Sequence, residues 1–216
     1  MNRLNIGCGI TPTKGWRNLD NSLSIRIAKW GPLGFFLHQL GLINTSTMRY
    51  ISFCQKNNIE WADASHSIPA SNNSIDVIYT SHMLEHLDRN EATSFLLEAK
   101  RVLRLNGVIR IVVPDIRKMV DEYIKSNDAD SLIEATHMCA SRPRTLTQRL
   151  RMLFIGTRHH QWMYDGDSLC RLLKKSGFEN PLLLKAGETT INDPGLLDLT
   201  ERFEESVYIE AKKASI

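Results

Sequence analysis

Residues Leu4–Gly9 read LNIGCG, and a second apolar stretch, WRNLD, ends at Asp20, eleven residues after Gly9. An apolar strand running into Gly-x-Gly, then another strand closed by an acid, is how a nucleoside-bearing cofactor is held on an α/β sheet. The glycines let backbone approach the ligand, and the carboxylate accepts hydrogen bonds from ribose hydroxyls. A dinucleotide loop needs a third glycine so that the following helix can pack behind the pyrophosphate. Here Ile10, Thr11 and Pro12 follow Gly9, and Pro12 removes one backbone donor. A dinucleotide is therefore disfavoured. Taken singly, each residue has a plainer reading: a tight turn for Gly7 and Gly9, cap or turn chemistry for Asp20 and Asp63.

Working outward, Leu4–Ile6 and Trp16–Asp20 read as strands, with too few residues between Gly9 and Trp16 for a helix, so the joining loop is expected to be mobile. Ile59–Ala62 reads as a third strand ending at Asp63. Ile75–Thr80 is a continuous apolar, β-branched run, the mark of a central parallel strand. Glu91–Leu103 carries Ala92, Phe95, Leu96, Ala99, Val102 and Leu103 at helical spacing, and Asn106-Gly107 supplies a stop. Val108–Val113 is a strand halted by Pro114, Asp115 caps a helix to about Ile124, and Asp167–Ser176 is a further helix. Leu182–Ala186 and Ser206–Lys212 read as an antiparallel pair at the edge of the sheet. Alternating strands and helices predict a doubly wound, mostly parallel α/β sheet. One domain spans 1–216, with a poorly patterned insertion at 22–58 and a helical cap at 126–163.

The chain has 216 residues, 42% hydrophobic and 24% charged, the composition of an ordinary globular domain. Its net charge of +3 is too small to argue for nucleic acid. Cys8, Cys54, Cys139 and Cys170 form no C-x-x-C pair, which fits a reduced, cytoplasmic protein better than a disulfide framework. The N-terminus lacks the apolar core of a signal peptide. The most apolar window, Trp30–Ile43, is too short to span a bilayer and contains Pro32 and His38.

As a set, LNIGCG, Asp20, the pair Asp63-Ala64, IDVIYTSHMLEHL, RVLRLNGVIRIVVPD, KKSGF and ESVYIEAKK resemble class I S-adenosylmethionine-dependent methyltransferases. The resemblance covers nearly the whole chain. It looks closest to small, methyltransferase-type-11-like members resembling those found with polysaccharide and lipopolysaccharide biosynthesis, where a short loop likewise joins the first glycines to GWxNxD. It implies a Rossmann-like methyltransferase fold and S-adenosylmethionine as cofactor. Gly7, Cys8 and Gly9 would lie under its methionine part. Asp20 would hold both ribose hydroxyls, Asp63 would accept from the adenine amino group beside Ala64, and Ser81 and His82 would face the sulfonium. The implied cofactor set is completed by Asn5.

His82-Met83-Leu84-Glu85-His86 also matches H-x-x-E-H, the pattern of inverted zinc metalloproteases. That chemistry needs both histidines on one helical face with Glu85 as general base, whereas these residues directly follow a buried strand, so a metal-dependent hydrolase is the weakest reading. Some methyltransferases of this fold, including quinone and small-RNA O-methyltransferases, carry E-x-x-E-H at the corresponding place and use a divalent cation. The set here would be His82, Glu85 and His86. The preferred reading is metal-free, with LEH starting the next helix and Glu85 facing its N-terminal dipole. The resemblance also places a histidine beside the acceptor pocket. His160, in His159-His160-Gln161-Trp162, is the first candidate for general base, with His86 as a second catalytic candidate; the competing reading has His159 and His160 as loop residues packing on Trp162.

Between His137 and Tyr164 lie Arg142, Arg144, Arg149, Arg151 and Arg158 and no acid. Such a surplus suits phosphate or carboxylate recognition, or is a solvated helix face. The aromatics expected of an RNA surface are sparse. Ile27, Trp30, Phe35, Phe36 and Leu37 are expected to cover the sheet face left bare by the missing first helix, the alternatives being a substrate lid or a lipid-facing patch. The expectation is O-methylation of a hydroxyl on a small-molecule or saccharide acceptor, an anionic one if the arginines recognise it. The main alternative is a catalytically silent subunit of the same fold that binds or scaffolds.

Overall fold

In the computed structural model, which describes residues 1–139 and 159–214, the apolar runs become the strands of a single sheet. These are β1 (Arg3–Ile6), β2 (Arg17–Asp20), β3 (Glu60–Trp61), β4 (Ile75–Ser81), β5 (Leu103–Pro114), β6 (Phe178–Leu184) and β7 (Ser206–Lys213). Their order is β3-β2-β1-β4-β5-β7-β6. The first five are mutually parallel, while β7 runs antiparallel to both β5 and β6. The C-terminal strand is thus antiparallel, as expected, but lies second from the edge; the edge itself is β6. Chain order reverses between β1 and β4, and the C-terminal ends of parallel strands at such a switch point form the ligand crevice of open α/β sheets.

Seven helices flank the sheet. They are α1 (Leu23–Ala28), α2 (Leu33–Gln39), α3 (Thr45–Lys56), α4 (Arg89–Val102), α5 (Ile116–Ser126), α6 (Ala129–Ala135) and α7 (Gly166–Lys175), counted among the described residues. The apolar face of α4 buries Ala92, Phe95, Leu96, Ala99 and Val102. With Leu169, Leu172 and Leu173 of α7, they cover the sheet face carrying Leu4, Ile6, Leu19, Ile78, Ile109 and Ile111. Helix α4 starts at a capping box in which Asp88 and Glu91 satisfy each other's backbone N–H groups. Residues 140–158, half of the expected cap at 126–163 and the part that holds all five of its arginines, lie outside the described residues.

The opposite face departs from expectation. No helix joins β1 to β2, and the insertion at 22–58 does not cover the gap. Residues 185–205, between β6 and β7, do so instead, burying Ile191 and Leu197 with Trp16 against Val77, Tyr79, Val108, Val112 and Tyr208. A buried ion pair fastens this strap: Arg110 Nη1 donates to Glu210 Oε1 at 2.7 Å and to the Glu188 carbonyl at 2.9 Å. Arg110 Nη2 donates to the Leu199 carbonyl, and Thr189 and Thr190 donate to the Glu210 carboxylate. The insertion packs elsewhere. Ile25, Ala28, Ile51 and Cys54 form a separate small core with Ile59 and Cys8, leaving Trp30, Phe35 and Phe36 in solvent.

Candidate functional site

The glycine loop leaves β1 with Gly7 at φ +72° and Gly9 at φ +50°, a region that L-residues other than glycine rarely enter. The Gly7 and Cys8 N–H groups both donate to the Leu19 carbonyl, so the loop folds over the end of β2. There the Gly9 N–H donates to Asp20 Oδ2 at 3.0 Å and the Ser22 N–H to Asp20 Oδ1 at 2.8 Å. One carboxylate therefore ties the glycine loop to the end of β2 while each oxygen keeps a further lone pair. Space above Gly9 is open, with nothing among the described residues within 4 Å of an added Cβ.

The short loop between β1 and β2 is tied down, contrary to the expected mobility. Asn5 donates to the Thr11 carbonyl and to Thr13 Oγ1. Asn18, the Asn of GWxNxD, accepts from the Thr13 N–H and donates to the carbonyls of Thr13 and Trp16. Both asparagines are buried, and these bonds do locally what a helix would otherwise do. Asn5 is thus a brace beneath the loop, and Asn18 is a residue of the site for which the sequence reading assigned no role. The Cys8 side chain is directed into the small core below, where burial raises its pKa far above the ordinary thiol range.

Asp63 follows β3, brought beside Asp20 because the Ala62 N–H donates to the Asp20 carbonyl. Asp63 Oδ1 accepts from the N–H and hydroxyl of Ser65, and Oδ2 lies 3.1 Å from His66 Nδ1. Ala64 beside it is buried. At the end of β4 the Ser81 hydroxyl is buried with no protein partner among the described residues.

His82 then takes a left-handed turn, φ +49°, and the chain passes into one 3₁₀ turn, Leu84–His86. This corrects the expectation that LEH opens the next helix: α4 begins three residues later at its own cap. It also separates the H-x-x-E-H residues from the helical setting a metalloprotease requires. Arg202 Nη1 lies 3.2 Å from His82 Nδ1; since a guanidinium can only donate, Nδ1 accepts, and Nε2 carries the proton shared with Ser206 Oγ at 2.8 Å.

Glu85 is the centre of what remains. Its side chain is fully buried, and neither carboxylate oxygen has a hydrogen-bond partner among the described residues. Such a group is costly unless a proton or cation accompanies it. His82 Nδ1 lies 3.4 Å and His160 Nε2 3.9 Å from Glu85 Oε1. His160 arrives from a distant segment because Gln161 and Trp162 donate their N–H groups to the Glu85 carbonyl and Gln161 Nε2 donates to the His86 carbonyl. The His160 ring stacks edge-on against His86 at 5.0 Å and His137 at 5.4 Å, not on Trp162, which faces Arg89. Burial holds the His160 pKa below the ordinary histidine value, with the charge of Glu85 opposing it. Among the described residues, Glu85, His86 and His160 offer ligand atoms within 4.8 Å of one another, a grouping that leaves out His82. Sequence reasoning missed His137 and the central place of Glu85, because their proximity to His160 depends on long-range contacts.

The methyltransferase-domain family model matches residues 36–182, more than half of the chain and beginning after the glycine loop. No curated protein matches it. Similar solved structures include an S-adenosylmethionine-dependent methyltransferase from Methanosarcina mazei, 16% identical with TM-score 0.54, covering 100% of this chain and 93% of that one. Another, from Thermotoga maritima, is 15% identical with TM-score 0.55 and covers 99% and 82%. A third, from Archaeoglobus fulgidus, is 17% identical with TM-score 0.50 and covers 98% and 86%. At these identities they speak for the fold alone, and that fold is the Rossmann-like one built above. With strand order, glycine loop and family match in agreement, the chain belongs to the methyltransferase domain family.

Proposed function

We propose that the protein transfers a methyl group from S-adenosylmethionine to a hydroxyl of a small-molecule or saccharide acceptor. The observation that carries this reading is the neutral-leaning imidazole of His160 beside the unpartnered carboxylate of Glu85, near the end of β4 at the switch point. The residues fit the cofactor. Gly9 leaves open space above the loop among the described residues, Asp20 retains lone pairs for a ribose diol, and the Ser81 hydroxyl lacks a protein partner among them. When bound, the cofactor supplies an electrophilic methyl. The chain's own part is to hold the acceptor in line, which can account for much of the rate, and to take the hydroxyl proton. His160 accepts that proton, and Glu85 stabilises the imidazolium that results.

Isothermal calorimetry with S-adenosylhomocysteine tests the cofactor, and release of that product from S-adenosylmethionine in the presence of hydroxylated saccharides tests the acceptor class. Absence of binding at high micromolar ligand would favour the silent-subunit reading and sink the enzymatic one.

A second reading is favoured by one observation. Glu85, His86 and His160 form a compact donor set around the buried carboxylate, and His86 Nδ1 faces the His159 carbonyl at 3.3 Å, which orients Nε2 as a free ligand atom. A divalent cation held there would polarise the acceptor hydroxyl. Activity that survives a chelator, with no stoichiometric metal by elemental analysis, rejects it.

A further inference from the structure

The insertion between β2 and β3 contains no acidic residue from Asn21 to Ile59, while Arg26, Lys29, Arg49 and Lys56 are all basic and all exposed. The inner side of its three helices is satisfied. Ile25, Ala28, Ile51 and Cys54 are buried with Cys8, and Gly34 lets α2 settle onto Ile51 and Met48 of α3. The outer side is apolar with nothing over it among the described residues. Trp30 is 72% exposed, Phe36 60% and Leu40 71%. Leu33, Phe36 and Leu40 follow one another at helical spacing along α2 and its C-cap, and Phe35 meets Phe36 edge-on at 6.2 Å.

A large apolar surface with aromatic residues, on a segment whose charged residues are all basic, marks an interaction site. Self-association would set this patch against its own copy and bring like charges together. An anionic lipid surface meets both features at once: Trp, Phe and Leu enter the boundary between head groups and acyl chains, and Lys and Arg pair with the phosphates. No described helix is long and apolar enough to cross a membrane, so the contact is peripheral. We propose that the outer face of α1–α3, with Trp30, Phe35, Phe36 and Leu40 at its centre, docks the protein onto an anionic bilayer. The same unit reaches the glycine loop from within, where Tyr50 Oη lies 3.5 Å from the Gly9 carbonyl. Docking therefore engages the helical unit that supports the proposed cofactor loop, although the lipid contact itself does not depend on methyl transfer.

Co-sedimentation with phosphatidylcholine vesicles, with and without phosphatidylglycerol, tests this. Partitioning is expected to rise about tenfold or more with the anionic lipid and to fall in high salt. The double variant Phe35→Ser/Phe36→Ser should lose most of the binding while keeping the wild-type melting temperature, because both rings stand outside the core. Lys29→Glu should weaken binding without touching the aromatic side chains. Equal binding to neutral vesicles, no binding to anionic ones, or unchanged binding by both variants overturns the proposal. So does a concentration-dependent rise in mass by light scattering that the double variant abolishes, since the face would then be a dimer contact, or binding to polyglutamate in preference to vesicles.

Discussion

At Gly7 the chain turns away from β1 with φ +72°, and an added Cβ would stand 2.6 Å from Met83 Cγ. Backbone torsion and close approach both require glycine here. Gly7→Ala is expected to cost about 1–3 kcal/mol of stability and to weaken S-adenosylhomocysteine binding, measured by thermal melting and calorimetry. Asp20 shows the same coupling through a side chain, since it holds the Gly9 and Ser22 N–H groups and is the proposed ribose partner. Asp20→Ala should weaken cofactor binding by about 1–3 kcal/mol, the range for lost charged hydrogen bonds; unchanged affinity in calorimetry would place the ribose elsewhere. His160→Ala should lower turnover more than cofactor affinity. Because burial lowers the His160 pKa, the free base persists to a more acidic pH than for an ordinary histidine. The acid limb of the wild-type rate profile should therefore fall below the usual histidine value, and in the variant it should vanish.

Among the elements, β5 and β7 decide how the molecule closes. Arg110 and Glu210 face each other in register, and their ion pair anchors the strap in place of a helix between β1 and β2. Removing Glu210 leaves the buried Arg110 with carbonyl acceptors but no counter-charge, so Glu210→Ala is expected to cost about 3–5 kcal/mol in urea unfolding. The helices are governed more locally. Asp88 caps α4 through the N–H groups of Asn90 and Glu91, and Asp165 caps α7 in the same way through Ser168. The sequence reading found both helices from their apolar period but started them at Glu91 and Asp167, inside the observed starts at Arg89 and Gly166, and named neither cap. The LEH turn was misread as a helix start because its 3₁₀ geometry follows from the left-handed His82 and from the contacts of Glu85 with a remote segment.

For the molecule as a whole, the same two groups shape stability against pH. Burial raises the pKa of Glu210, but hydrogen bonds from Thr189, Thr190 and Arg110 outweigh it and the net shift is downward. Its carboxylate therefore contributes stability at neutral pH that is lost as pH falls through the depressed folded value. His160, also depressed, adds a loss that begins as pH drops below the ordinary histidine range, where the unfolded chain gains a proton that the folded chain binds less readily. The melting temperature is expected to decline on acidification, and Glu210→Gln, although less stable at neutral pH, should flatten the part of that decline below the usual carboxylate range.

The sequence by itself determined the parallel α/β sheet, the glycine loop with Asp20, and the membership these imply, because strand period, helix caps and turn glycines are properties of neighbouring residues. Only the tertiary structure decided what covers the face left bare by the missing helix. The sequence reading assigned that task to residues 22–58, but residues 185–205 perform it, pinned by an arginine and a glutamate that adjacent strands bring together. Tertiary structure also gathered His86 and His160 beside the buried carboxylate of Glu85, with His137 against His160. Such pairings join residues far apart in the chain, so their energies come from burial and register, which no local pattern encodes.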